Sequence, residues 1–244
     1  MKMFIGTNFN YITEFPTFFY TNSKFKSTRY NFIIPKVTNP NQLTWDQIHQ
    51  LIQKEKLHGK EYSIYVNETI QDQYPIFLNQ SPLLGKDTYI HKKVDKKHDV
   101  ILPEGYSLNS DYDLDEVIKV IELCTHWPEE RIYNELYEKY KTTGQENRIF
   151  EKFCIRYHDK IVGVASIVID KKLNLGYFHN DGILEKHRRK GLHTTLINAR
   201  NNYCLEQKIT DAVAIVDENA NSLPSYIKSG FREIDKFYIY SMNK

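Results

Sequence analysis

The residue types and spacing best suited to chemistry lie in one stretch, Gly182-Ile183-Leu184-Glu185-Lys186-His187-Arg188-Arg189-Lys190-Gly191-Leu192-His193-Thr194-Thr195-Leu196. Alternating residues before it read as a strand, a basic turn holding one glycine follows, and helical spacing begins at Gly191. The first turn of a helix leaves N–H groups without acceptors at the positive end of the helix dipole, so such a turn can hold an anion. Glycine at 191 removes the side chain that would keep a phosphate off the backbone, and Arg188, Arg189 and Lys190 add positive charge. The same residues also read as a solvated basic turn in which Gly191 only meets a backbone requirement. Neither a G-x-x-x-x-G-K-[S/T] phosphate loop nor a dinucleotide G-x-G-x-x-G is present.

A second stretch bears on that choice. Asn219, Ser222, Tyr226, Gly230 and Phe231 follow a short apolar strand ending near Val216. With it, the sequence resembles the GNAT superfamily of acyl-CoA-dependent N-acyltransferases. That family carries Arg/Gln-x-x-Gly-x-Gly/Ala at the opening of a helix and, about thirty residues later, Asn-x-x-Ala/Ser-x-x-x-Tyr-x-x-x-Gly-Phe. Arg188 and Gly191 match the first motif, and the five later residues match the second at every spacing. His193 stands where the family usually has glycine or alanine, so its imidazole must either point away from a phosphate or touch it.

The resemblance covers roughly residues 104–242. It implies an α/β (α+β) fold, a mixed twisted sheet flanked by helices, whose middle strands splay apart to admit the pantetheine arm of acetyl-CoA. By the same resemblance, the backbone of Asp181, Gly182 and Ile183 pairs with pantetheine. The amides of Arg189, Lys190, Gly191, Leu192, His193 and Thr194 hold the pyrophosphate, and Asn219, Ser222 and Tyr226 lie beside the arm. It implies direct attack of a primary amine on the thioester in a ternary complex, with Tyr226 as the acid.

Acyl transfer to an amine needs the amine positioned, a proton removed from it, and a proton supplied to the leaving thiolate. An alkyl amine with a pKa near 10.4 is only about one part in a thousand neutral at pH 7, so a base is required. In residues 175–184 a period of two places Tyr177, His179, Asp181 and Ile183 on one face. His179 resembles in position the catalytic histidine of arylalkylamine N-acetyltransferases, and imidazole, with an ordinary pKa near 6.5, suits a neutral-pH base. Asp181 is the other candidate. A strand histidine also serves as plain packing. Other family members place a carboxylate five residues before the motif asparagine, where this chain has Ala214. Asp217 and Glu218 read either as an attraction for a cationic acceptor or as a solvated loop. His187 and His193 lack a third ligand at a suitable spacing, which argues against metal.

These residues need a scaffold, and the hydrophobic pattern supplies one. The charged run and Pro-Glu-Gly turn at 92–106 mark a seam, giving domains 1–98 and 99–244. Before it, strands are expected at 30–37, 61–66 and 87–93 and helices at 44–57, capped by Thr44, and 69–80. After it, helices are expected from Asp111 or Asp113 to 124 and at 128–140. A hairpin follows at 150–157 and 161–169, then strand 175–184, helix 191–207, strand 211–216, helix 222–228 and strand 233–241. Residues 86–91 faintly echo 235–240. The strand, helix, strand, helix, strand order of the first region resembles the second half of a GNAT fold without its anion-binding residues, implying a smaller degenerate copy with no donor site. Trp127, Tyr133, Tyr137 and Tyr140 are placed either to wall an acceptor pocket or to pack in a core.

Composition narrows the alternatives. The 244 residues carry 33 basic and 31 acidic side chains, a balance that argues against whole-surface binding of nucleic acid. The three cysteines lie far apart, which suits a reducing, cytoplasmic setting and no disulfide framework. No stretch nears the roughly 20 apolar residues of a membrane-spanning helix, and the start of the chain lacks the apolar core of a signal peptide. Three functions remain: an N-acetyltransferase with a small-molecule or peptide amine acceptor, a non-catalytic acyl-CoA-binding regulatory module, and a nucleic-acid binder using Arg188 to Lys190.

Overall fold

The computed structural model describes residues 11–22, 31–36, 42–56, 61–68, 81–125 and 148–242. In chain order the elements are β1 (Tyr11–Glu14), β2 (Phe18–Asn22), β3 (Phe32–Pro35), α1 (Gln42–Lys56), β4 (Ser63–Asn67), β5 (Leu83–Lys93), β6 (Tyr106–Asn109) and α2 (Leu114–Thr125). They continue with β7 (Arg148–Tyr157), β8 (Lys160–Asp170), β9 (Leu175–Ile183), α3 (Leu192–Glu206), β10 (Asp211–Asp217), α4 (Leu223–Lys228) and β11 (Arg232–Ser241). The helices expected at 69–80 and 128–140 lie outside the described residues, as do Trp127, Tyr133, Tyr137 and Tyr140.

The chain forms two compact units, Met1–Tyr89 with Glu233–Lys244, and Ile90–Arg232. This division falls within β5, ahead of the charged run that suggested a seam after residue 98. In the first unit β1, β2 and β3 are antiparallel neighbours, β3 and β4 are parallel, and β4 is antiparallel to β11. Parallel strands need a crossover, and α1 supplies it. Ile48 and Ile52, four apart on α1, are buried in a core with Phe18, Ile33, Tyr62 and Ile64. The helix starts at Gln42, so Thr44 lies within its first turn and not at the position before it. Sequence reasoning missed β1 and β2, whose apolar run Phe18 to Tyr20 shows no period of two.

In the second unit the strand order is β5-β10-β9-β8-β7-β6. β6 to β9 are successive antiparallel neighbours, and β9 and β10 are parallel with α3 as the crossover. Hairpin β7–β8 turns at His158 and Asp159, whose φ values of 46° and 64° are the left-handed pair of a type I′ turn. Asp113 caps α2 by accepting the amides of Asp115 and Glu116 at 2.9 and 3.0 Å.

One irregularity decides the site. Ser166 pairs with His179 and Val164 with Gly182, so three residues of β9 span what two residues of β8 span. Asn180, with φ of 53°, absorbs the extra residue as a bulge. The bulge breaks the alternation and corrects the one-face reading of Tyr177, His179, Asp181 and Ile183. Gly182 shares the His179 side, where a Cβ on it would lie 2.9 Å from the Cβ of Cys124 in α2. Asp181 instead meets Arg200 of α3, and Ile183 packs with Leu192 and Leu196 of that helix. His179 therefore faces α2 and Asp181 faces α3.

Because an L side chain without a short polar group strains at left-handed φ, Asn180→Val should cost about 1–2 kcal/mol and Asn180→Gly much less. Urea unfolding of the two variants checks this; equal midpoints would refute the bulge.

Candidate active site

Just past the bulge, Asp181 gathers side chains from α3 and α4. Arg200 approaches it with both terminal nitrogens, Nη1 to Oδ1 at 2.6 Å and Nη2 to Oδ2 at 2.8 Å. The Tyr226 hydroxyl donates to Oδ2 at 2.5 Å, and His193 Nε2 reaches the same oxygen at 3.1 Å. Arg200 has no exposed surface. Its remaining N–H groups go to the carbonyls of Leu196 and Ser166, each at 3.2 Å, and to the Tyr226 hydroxyl at 3.3 Å, and its guanidinium lies 4.4 Å from the Phe178 ring centre. Every polar direction of the arginine is thereby matched, as a buried charge requires.

The helical frame explains the convergence. Leu192, Leu196, Arg200 and Cys204 recur every four residues along α3 and are all buried, so Arg200 rides the apolar stripe into the sheet. Sequence reasoning missed Arg200, although this spacing already placed it among apolar neighbours. Tyr226 is held edge-on against His193 and Phe231, with ring centres 5.5 and 5.0 Å away. Lys92, itself buried, donates to the carbonyl of Ser229 at 2.7 Å and so secures the last turn of α4.

These contacts shift the acidities in opposite directions. Burial alone pushes the Asp181 carboxyl up, but the Arg200 guanidinium and the His193 hydrogen bond bring it well below the usual carboxylate range. Burial pushes the Tyr226 phenol well above its ordinary value; Arg200 opposes this and Asp181 adds to it. Asp181 is thus a fixed carboxylate and a poor base. His179, the other candidate, is buried on the opposite face, stacked on Tyr177 at 5.3 Å and 5.8 Å from the Phe150 ring.

The basic turn follows β9 directly. Arg189 and Gly191 have φ of 63° and 78°, and Gly191 is the N-cap of α3. The first helical bond runs from Thr195 N–H to the Gly191 carbonyl. The amides of Leu192, His193 and Thr194 precede it and have no acceptor within the helix. A Cβ built on Gly191 meets no atom within 4 Å, so space lies open there. Arg188 Nε donates to the carbonyl of Ile183 at 3.0 Å, tying the turn to the strand. Lys190 donates to the Tyr106 hydroxyl, which also bonds His187 Nδ1. His187 and His193 therefore serve different partners, and among the described residues no three His, Cys, Asp or Glu side chains converge.

β9 and β10 are in register only from Asp211↔Leu175 to Ala214↔Phe178. Beyond that point β9 continues to Ile183 and β10 to Asp217. The two strands end their pairing beside the start of α3, with Asp181 and Gly182 on one side of the gap. Asn219 is exposed past β10, where its amide bonds Asp217 Oδ1 at 2.8 Å. Ser222 is the N-cap of α4 without a side-chain cap bond. The gap and the uncapped amides suit an acyl-CoA donor, whose arm needs backbone partners and whose phosphates need N–H groups.

Comparison with known proteins agrees with this geometry. The family described as "Acetyltransferase (GNAT) domain" matches residues 109–239, more than half of the chain. Among solved structures, a GCN5-related N-acetyltransferase from Kribbella flavida is similar with a TM-score of 0.73 and 10% identity, over 98% of this chain and 92% of that one. A functionally unknown conserved protein from Staphylococcus epidermidis gives 0.69 at 13% identity, over 96% and 94%. A tandem GNAT protein from the clavulanic acid biosynthesis pathway gives 0.63 at 14% identity, over 92% and 81%. At these identities the structures speak for the fold. No curated protein sequence gives a significant match.

A carboxyl depressed by folding lends stability that is full above its unfolded pKa of about 3.9 and is lost as the pH falls from there toward the folded value. At neutral pH, Asp181→Asn and Arg200→Met should each cost about 3–5 kcal/mol, because each leaves half of a buried pair. For Asp181→Asn the gap from the unsubstituted protein should shrink below about pH 4. Urea unfolding across pH checks both; a neutral-pH loss within error of zero would show that the pair carries no such weight.

Proposed function

This chain belongs to the GNAT acetyltransferase family and is an acyltransferase, and on that premise we propose that it transfers an acetyl group from acetyl-CoA to a primary amine in a ternary complex. The observation that carries the reading is the end of β9–β10 pairing at Ala214↔Phe178, beside the uncapped start of α3. The donor, when bound, supplies an acyl carbon already activated as a thioester. The backbone of Asp181, Gly182 and Ile183 holds the arm, with Asn219 and Ser222 on the far side. The amides from Arg189 to Thr194 hold the phosphates, helped by the charges of Arg188, Arg189 and Lys190.

Tyr226 acts as the acid toward sulfur and His179 as the base toward the amine. Their opposite faces support this division, since proton removal and proton supply occur on different sides of the reacting carbon. Asp181 positions Tyr226 and does not itself remove a proton, because Arg200 holds it ionised. The acceptor is a small molecule or peptide amine. The donor site lies in the second unit alone: the βαβ of the first unit has Thr38-Asn39-Pro40-Asn41 where a basic glycine turn would stand, and Pro40 removes a backbone donor. A cytoplasmic setting accords with three free cysteines, Cys124, Cys154 and Cys204. Among the described residues no helix is long and apolar enough to cross a membrane.

Acetyl-CoA should raise the melting temperature, Gly191→Glu should abolish that rise, and titration should give about one site per chain. A full CoA-induced shift in Gly191→Glu would falsify the phosphate assignment, and two equivalent sites would overturn the single-site reading.

Thiol release from acetyl-CoA, screened against polyamines, aminoglycosides, amino acids and peptide N-termini, identifies the acceptor class. With that acceptor, Tyr226→Phe should lower kcat by about 10²–10⁴-fold while CoA affinity holds, and His179→Ala should remove the acidic limb of the kcat/KM profile. An unchanged kcat in Tyr226→Phe returns the tyrosine to packing, and a persistent limb removes His179 as the base.

A further inference from the structure

α4 is only six residues long, too short to hold its own shape in water, so whatever fixes its ends also fixes Tyr226. Its last carbonyls lie at the negative end of the helix dipole, where a cation is favoured. Lys92, buried at the end of β5, fills that place. Its Nζ donates to the Ser229 carbonyl at 2.7 Å. Its chain lies against Gly230, whose φ of 88° turns the backbone out of the helix; a Cβ built there would stand 3.6 Å from Lys92 Cε. Tyr226 belongs to the same turn, its carbonyl accepting from the amides of Ser229 and Phe231.

A second partner aims the lysine. Nζ also lies 2.8 Å from His98 Nε2. An ammonium only donates, so Nε2 is a bare acceptor and the neutral ring carries its proton on Nδ1. The backbone of His98 is clasped to α3: its N–H donates to Asn202 Oδ1, and Asn202 Nδ2 donates to its carbonyl, each at 2.9 Å. Asn198 Nδ2 and Thr195 Oγ1 donate to the carbonyls of Asp99 and Ile101, so residues 98–101 form a strap along the helix. Thus α3, the strap, Lys92 and α4 make one hydrogen-bonded chain within the second unit. The charged groups facing the His98 ring are Lys92 from β5 and Asp95, Lys96 and Asp99 from its own segment, while α3 presents the neutral Asn202 amide. Burial, with Lys92 and Lys96, holds the imidazole below its ordinary range, against the pull of Asp95 and Asp99.

We infer that Lys92 and His98 form an acid-sensitive latch that positions Tyr226. While the imidazole is neutral, it aims the ammonium at the end of α4, and the phenol stands at Asp181. Once the imidazole is protonated, two cations meet at that contact, the strap loses its acceptor for Lys92, and the end of α4 is released. Neither residue touches a reacting atom. Both act through Tyr226 as positioning residues, and their part in turnover rests on the acetyl-CoA reading above.

The latch has a signature that needs no activity. An imidazole held below its unfolded pKa of about 6.5 contributes stability that is full above that value and is lost as the pH falls from there toward the folded value. Urea unfolding from about pH 7.5 to about pH 5 should show the unsubstituted protein losing ground to His98→Gln, whose amide oxygen accepts from Lys92 without titrating. Ring-nitrogen NMR of the unsubstituted protein needs no variant to fold: His98 should show the Nδ1–H tautomer and titrate below about 6.5. At about pH 7.5, with the acceptor found by thiol release, Lys92→Met should lower kcat about tenfold or more and leave the KM for acetyl-CoA within about twofold. Placed in the Tyr226→Phe background, Lys92→Met should lower kcat little further. Equal pH dependence of stability with and without His98→Gln, or a His98 ring that titrates at or above about 6.5, overturns the latch. A loss from Lys92→Met that is undiminished in the Tyr226→Phe background overturns its action through Tyr226. If no amine releases thiol from acetyl-CoA, the acyl-transfer reading fails, and the unfolding and NMR results decide the latch by themselves.

Discussion

A guanidinium with no exposed surface is tolerable only where its charge is matched and every N–H finds an acceptor, and in this chain the match to Arg200 is Asp181. A pair of apolar side chains of similar size would hold α3 to the sheet at least as well. What the ion pair adds is a carboxylate that stays ionised while dry, so that its Oδ2 can order Tyr226 and His193 around one point. Removing Arg200 would leave Asp181 to protonate; removing the bulge at Asn180 would turn Asp181 toward α2. The site therefore depends on an electrostatic condition and a backbone condition that meet in one residue.

That dependence explains what could be read from the residues and what could not. The turn at Arg188 to Gly191 and the run from Asn219 to Phe231 fall on a helix start and on α4, because both are patterns of local backbone geometry and local spacing. The two faces of β9 were not legible from a period of two, since one residue at left-handed φ reverses everything after it. A hint was present: Asn180-Asp181-Gly182 are three residues that strands disfavour, placed together inside an otherwise apolar run. Arg200 had its hint in the four-residue spacing with Leu192, Leu196 and Cys204. Its partner had none, because the approach of Asp181 is a matter of tertiary contact across nineteen residues.

The first unit repeats the strand–helix–strand arrangement. β3, α1 and β4 make a parallel βαβ, as β9, α3 and β10 do in the second. The apolar stripe of α1, through Ile48 and Ile52, lies in a core of aromatic, aliphatic and methionine side chains. The faint likeness of residues 86–91 and 235–240 also has a place in the fold. β11 belongs to the unit built by the early strands, where it lies against β4, and β5 from Ile90 onward belongs to the later one, beside β10.

The departure from the family pattern at residue 193 is best understood against this background. A small residue at the second position of the helix would leave Asp181 with Tyr226 and Arg200 alone, one donor fewer on a carboxylate taken out of water. The imidazole fills that place, and it does so with the one side chain whose ordinary pKa lies near neutrality. Because the bulge has turned Asp181 toward α3, a histidine at 193 reaches it without leaving the helix, at 3.1 Å, while its other nitrogen stays buried beside the turn suited to phosphate. The imidazole of His193 is therefore directed inward by the same backbone irregularity that turns Asp181 toward Tyr226, and that coupling joins the basic turn to the Asp181 cluster.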